Sequence, residues 1–118
     1  MAYHHLHADD LEARPGPHPA ASRFDKGVSQ ALGIRAFGLY QVELPAGAQT
    51  VRHNHVDDGA EDAYAVIGGA GVVFVDDREV VVGPGDFIAI TPESERYVAA
   101  SDGGLVFIAI CASPPVPH

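Results

Sequence analysis

Residues 47–68 read GAQTVRHNHVDDGAEDAYAVIG, and their spacing constrains both architecture and chemistry. In an extended strand successive side chains alternate faces, so His53 and His55 point one way while Arg52 and Asn54 point the other. Two imidazoles from one strand thus converge. A five-residue loop, Val56 to Ala60, then carries the chain to Glu61 at the start of the next strand, where a carboxylate meets the imidazoles on the shared face. Two histidines and one carboxylate form a facial set that leaves coordination positions open for water, substrate or dioxygen. By the same alternation Ala63 and Ala65 share the face of Glu61, and their small side chains are expected to leave room for a pocket inside a barrel.

Outward from this stretch, from Gly33 on, short β-branched and aromatic runs alternate with Gly, Pro and Asp about every ten residues. That rhythm belongs to an all-β sandwich or barrel. Strands are expected at Ile34 to Leu44, Gln49 to Asn54, Ala63 to Ile67, Gly71 to Val75, Glu79 to Val82, Phe87 to Thr91, Arg96 to Ala100 and Leu105 to Cys111. Asp76 and Asp77 tolerate turn dihedrals and join two of these runs as a β-hairpin. In Gly83-Pro84-Gly85-Asp86, Pro84 presets the first turn angle and Gly85 supplies a positive φ, which reads as a type II turn. Eight short strands with tight hairpins suit a jelly roll with no substantial helix.

The remaining features bound the function. A chain of 118 residues accommodates one domain, divided here into an N-terminal arm (1–30), a barrel (31–112) and a short tail (113–118). The arm is polar and rich in Pro and His; His4, His5, His7 and His18 lack ordered ligand spacing and read as surface residues. The net charge of −9, from 16 acidic residues against 7 Lys and Arg, disfavours phosphate backbones and anionic membrane surfaces. Cys111 is the single cysteine, lies in an apolar run and reads as a small core residue. No apolar stretch approaches the ~20 residues that span a bilayer, and nothing resembles a signal peptide, so a cytoplasmic location is expected. Tyr40, Tyr64 and Tyr97 read as barrel packing.

The pattern Gly47, His53, His55, Glu61, Gly68 resembles the first motif of the cupin family, whose fold is a double-stranded β-helix. Here the spacer after the second histidine is five residues, longer than usual. The interval from Glu61 to Gly68 keeps the family spacing, which selects Glu61 over Asp62; Asp57 and Asp58 remain outside candidates. Counting on from Gly85-Asp86, the family's second motif places Arg96 where its fourth ligand, a histidine, stands. The resemblance covers about residues 33–112. It implies a divalent transition metal (Fe, Mn, Ni or Zn) on His53, His55 and Glu61, a small oxygenated or anionic ligand, and a homodimer. Arginine stays protonated and offers no lone pair. A guanidinium about 5 Å from a dication is repelled by roughly 6 kcal/mol at an effective dielectric of 20.

Three readings follow: a metal-dependent enzyme of dioxygenase, isomerase or lyase type with Arg96 as catalytic anion clamp, a non-enzymatic ligand-binding module, and a barrel held by a buried Arg96–Glu61 ion pair.

Overall fold

The structure, a computed structural model, describes residues 2–16 and 21–115. Its strands are β1 (Asp25–Gly27), β2 (Gly38–Leu44), β3 (Glu61–Val75), β4 (Arg78–Val82), β5 (Phe87–Ile90) and β6 (Arg96–Ala112). All pairings are antiparallel, in the order β1-β2-β6-β3-β4, with β5 on β3.

The two long strands organise the molecule. β3 and β6 pair along most of their length, and the ladder shifts register between Val66 and Gly68 and again between Gly69 and Gly71. Before the bend Asp62, Tyr64 and Val66 are the buried positions of β3; beyond it Gly71 and Val73 are. The inward phase therefore passes from even to odd residues, as a bulge requires. Gly69 and Gly104 face each other at this corner with positive φ of 72° and 80°. Each long strand thus serves two layers. Val42, Leu44, Tyr64, Val66, Leu105 and Phe107 from one layer pack in a single core with Val73, Val82 and Val98 from the other. This is the all-β jelly roll expected from the sequence.

Local chemistry explains most boundaries. Asp76 and Asp77 take φ of 48° and 65° in the β3–β4 hairpin, the geometry of a tight two-residue turn. Gly85 has φ 94°, and Asp86 N donates to Gly83 O at 3.0 Å. The expected runs 63–67 and 71–75 merge into β3, and those at 96–100 and 105–111 into β6. The expected strand from Gln49 to Asn54 is reduced to isolated bridges, Gln49 with Ala99 and His53 with Arg96. Between them the Thr50 hydroxyl accepts from Val98 N at 2.9 Å, which puts a side chain where a ladder carbonyl would stand. β2 begins at Gly38 rather than Ile34 because a short helix, α1 (Val28–Leu32), precedes it and ends on Gly33 at φ 75°.

The end of the arm joins the sheet. β1 pairs with β2, and the buried Lys26 contacts Glu43 at 3.2 Å and Ala8 O at 3.1 Å. His4, His5 and His7 are exposed, whereas His18 lies outside the described residues. No helix among the described residues is long and apolar enough to cross a membrane.

Candidate metal centre and cavity

The segment from Thr50 to His55 is held against the first residues of β6 and the turn before it. His53 N and Arg96 N exchange hydrogen bonds with each other's carbonyls at 3.0 and 2.8 Å, and His55 N donates to Pro92 O at 2.8 Å. Both imidazoles consequently turn to one side, as alternation predicts, with ring centroids 4.9 Å apart. Arg52, on the opposite side, is exposed, pairs with Glu95 at 2.6 Å and lies over the Tyr97 ring.

The third member of the cluster is Asp62, not Glu61. Ligand atoms of His53, His55 and Asp62 all lie within 4.8 Å of one another. Asp62 Oδ2 stands 3.2 Å from His55 Nε2 and 3.8 Å from His53 Nε2. Glu61 is exposed, and so is Ala63. Both belong to the outer face of β3, so the pocket is not created by Ala63 and Ala65. The expected phase is off by one residue, and a one-residue slip exchanges every side chain between the two faces. The large apolar residues carried the signal: Tyr64 and Val66 seek the core, and Asp62 is in phase with them.

Each histidine is also held from behind. The Val51 carbonyl lies 2.8 Å from His53 Nδ1. Because a carbonyl only accepts, Nδ1 carries the proton and the Nε2 lone pair is turned toward Asp62. His55 Nδ1 lies 3.1 and 3.2 Å from the two carboxylate oxygens of Asp58. Metal-binding histidines are oriented by acceptors of this kind on the far nitrogen. Two nitrogen lone pairs and a carboxylate facing one another repel unless a proton or a cation lies among them. The donor set, imidazole and carboxylate, suits a divalent transition metal, so the residues fit the ion that the sequence pattern implies.

Arg96 is fully buried, with 0% exposure. Its Nη2 donates to Thr91 O at 2.7 Å, and its Nε is 3.8 Å from Asp62 Oδ2, too long for a hydrogen bond. Nε and Nη1 have no hydrogen-bond partner among the described residues. The ion pair expected between Arg96 and Glu61 is thus formed, loosely, with Asp62.

A cavity of about 150 Å³ opens beside the cluster, lined by His53, His55, Asp58 and Asp62 on one side and by Ser22, Asp25 and Tyr40 on another. Val42, Phe107 and Ala109 make up part of its apolar wall. Arg96 is not on that wall, which separates it from the place an anion clamp would occupy. Tyr64 lines the cavity and donates to Asp62 Oδ2 at 3.4 Å, whereas Tyr97 stacks on Phe74 at 4.4 Å elsewhere. Burial holds the Tyr64 and Tyr40 phenols above the usual tyrosine range. Cys111 is a half-buried cavity residue rather than a core one, and burial raises its thiol pKa.

Asp25 and Ser22 come from the arm, where the sequence shows no period that would assign them to a site. The Ser22 hydroxyl donates to Asp25 Oδ1 at 2.6 Å and Ser22 N donates to Oδ2 at 3.1 Å. Burial raises the Asp25 pKa above the ordinary value, against the lowering effect of those two hydrogen bonds.

An all-β jelly roll with two histidines and a carboxylate converging beside a cavity defines the class: a small barrel protein with a candidate metal site. The chain belongs to the cupin family: the Cupin domain model matches residues 40–111. An uncharacterised protein of Methanocaldococcus jannaschii is 28% identical over 93 residues, covering 79% of this chain and 67% of that one. Among solved structures, a cupin protein from Bacteroides fragilis superposes with a TM-score of 0.75 at 19% identity, over 100% of this chain and 90% of that one. A sugar phosphate isomerase of the cupin superfamily from Silicibacter pomeroyi superposes with a TM-score of 0.76 at 24% identity, over 95% and 77%. At these identities the likeness is one of fold.

Proposed function

We propose that this protein is a metal-dependent cupin enzyme, in which His53, His55 and Asp62 hold a divalent transition ion (Fe, Mn, Ni or Zn) and a small oxygenated molecule occupies the adjoining cavity. One observation carries the reading: three donor groups converge within 4.8 Å, with the imidazole Nδ1 atoms of His53 and His55 held by Val51 and Asp58. Charge supports it. Three carboxylates line the cavity, Asp25, Asp58 and Asp62, and Arg96 is the guanidinium beside them, so the site formally carries two negative charges that a divalent ion neutralises.

When bound, such an ion polarises a carbonyl or hydroxyl oxygen of the ligand. Isomerase, dioxygenase and lyase chemistry all draw on that capacity, and the Silicibacter isomerase puts isomerisation first to assay. The chain's own residues orient and shield. Asp58 and the Val51 carbonyl fix the imidazole tautomers, while Val42, Phe107 and Ala109 exclude water from part of the wall. Arg96 acts as a positioning residue: its Nε stands 3.8 Å from Asp62 Oδ2, and it reaches the ligand only through that carboxylate.

Elemental analysis of protein purified without an affinity tag tests the reading. About one ion per chain is expected, lost in His53→Ala and Asp62→Ala and kept in Glu61→Ala. Protein that stays metal-free after growth with each of the four metals sinks it. The 3.8 Å approach of Arg96 to Asp62 then favours a second reading, a metal-free barrel that binds its ligand beside a buried ion pair.

We further propose that the protein is cytoplasmic and pairs as a homodimer through the outer face of the sheet. On that face Ala63 lies between Ala89 and Ile110, and Ala65 between Phe87 and Ile108.

A further inference from the structure

We propose that Asp25, Ser22 and Tyr40 form a second binding pole in the cavity, one that receives a hydrogen-bond donor, a hydroxyl or amino group, on a compact uncharged ligand whose other end faces His53, His55 and Asp62. The proposal deepens the functional reading above and rests on it for the place of the ligand, because it names the class of molecule that the cavity selects.

The first argument is the geometry of the carboxylate. Both Asp25 oxygens are engaged by Ser22, one by its hydroxyl at 2.6 Å and one by its backbone N at 3.1 Å. Ser22 is itself buried, at 5% exposure. Each carboxylate oxygen accepts about two hydrogen bonds, so one lone pair per oxygen remains after Ser22 is served. A carboxyl group held at two points on a cavity wall is a preorganised acceptor. β1 delivers it there: Asp25 is in register with Val42 and Gly27 with Tyr40, which places the acid and the phenol on adjacent strands at one end of the cavity.

The second argument is charge. Among the described residues no Lys or Arg lines the cavity. Arg96 stands behind Asp62, and Arg14 belongs to an outer groove that shares only Ala21, Asp25 and Tyr40 with the cavity. A ligand carrying its own carboxylate or phosphate toward the arm side would meet the Asp25 carboxyl with no Lys or Arg among the described residues to receive it. A neutral polyhydroxy or amino-alcohol group meets an acceptor instead. The cavity volume of about 150 Å³ is worth roughly five waters, which limits the enclosed part of the ligand to a compact, few-carbon group. Anything larger extends past Asp25 into the outer groove.

A matched pair of three-carbon probes tests this: dihydroxyacetone, which is neutral, and glycerate, which carries a carboxylate. Their dissociation constants are measured by calorimetry on wild type, Asp25→Asn and Ser22→Ala, with the metal content of each sample determined in parallel. Asp25→Asn keeps the shape and removes the charge. It is expected to shift the selectivity toward glycerate by about tenfold, through weaker dihydroxyacetone binding and tighter glycerate binding. Ser22→Ala keeps the charge and the backbone bond to Oδ2 but removes the hydroxyl that holds Oδ1, and it is expected to weaken dihydroxyacetone several-fold with no gain for glycerate. If Asp25→Asn does not fold, the Ser22→Ala result decides alone, and unchanged dihydroxyacetone affinity there overturns the proposal. A selectivity shift of less than about threefold in a folded Asp25→Asn also overturns it, as does a wild type that binds neither probe. The two readings separate cleanly. Absent metal with the selectivity shift intact removes the metal centre and keeps the pole; full metal with no shift removes the pole alone.

Discussion

Asp62 Oδ2 is the atom on which the site turns, with His55 Nε2 at 3.2 Å, the Tyr64 hydroxyl at 3.4 Å, and His53 Nε2 and Arg96 Nε each at 3.8 Å. Removing one partner of a buried charge pair leaves the other unpaired and costs about 3–5 kcal/mol. Asp62→Ala strands the Arg96 guanidinium, whose hydrogen bond among the described residues goes to Thr91 O while Nε and Nη1 have no hydrogen-bond partner there. Urea unfolding in the presence of a chelator is therefore expected to show Asp62→Ala destabilised by about 3 kcal/mol or more, while Glu61→Ala, at an exposed position, stays within about 0.5 kcal/mol of wild type. Equal losses for the two variants would contradict the inward placement of Asp62. The histidines were legible from alternation alone, because His53 and His55 share a side however the segment pairs. The carboxylate was not, because family spacing nominates Glu61 and only the packing of Tyr64 and Val66 shows which of two adjacent acids turns inward.

At the scale of the element, the corner in β3 and β6 sets where the cavity lies. Asp62 and Tyr64 face inward on one side of the bulge and Val73 on the other, so the corner brings both layers around one core. A side chain at Gly69 would run into the Gly104 carbonyl, a backbone atom with little freedom to retreat, and would have to adopt φ 72°. A strained positive φ alone costs about 1–3 kcal/mol. Gly69→Ala is expected to lose at least that much in denaturant unfolding. Gly83→Ala, which meets nothing within 4 Å, is expected to stay near wild type under the same conditions. Most strands were readable, and so were both turns, because Asp76-Asp77 and Pro84-Gly85 carry their own dihedral preferences. Strand continuity was not, since glycines that read as breaks between two short strands are the hinge inside one long one. The interruption of the expected strand from Gln49 to Asn54 was equally hidden, since a hydroxyl that substitutes for a carbonyl leaves no periodic trace.

The whole molecule carries a net charge of −9, and two copies repel wherever their carboxylates meet. The outer sheet face offers the exception. Phe87 is 83% exposed and Ile110 40%, and with Ala63, Ala65, Ala89 and Ile108 they form a run of uncharged side chains across β5, β3 and β6, with Glu61 at its margin. Exposed apolar patches on soluble proteins mark contact surfaces, and a twofold pairing lets one patch bury its own image. The proposed occupant is a second copy, since each face would then be neutral where two molecules of this charge otherwise repel. Phe87→Asp places a carboxylate in the middle of the run, where it would be desolvated against its symmetry mate. Light scattering after size-exclusion chromatography is expected to give twice the 12.4 kDa chain mass for wild type and the single mass for Phe87→Asp. Circular dichroism should show the strand content of the variant unchanged, since Phe87 contributes little to the core from its exposed position. Val81→Asp, at a 79% exposed position on β4, serves as the control: it adds the same charge away from the β5–β3–β6 face and is expected to remain dimeric. A wild type that runs as a monomer at micromolar concentration, or a Val81→Asp that dissociates while Phe87→Asp does not, would move the contact off this face.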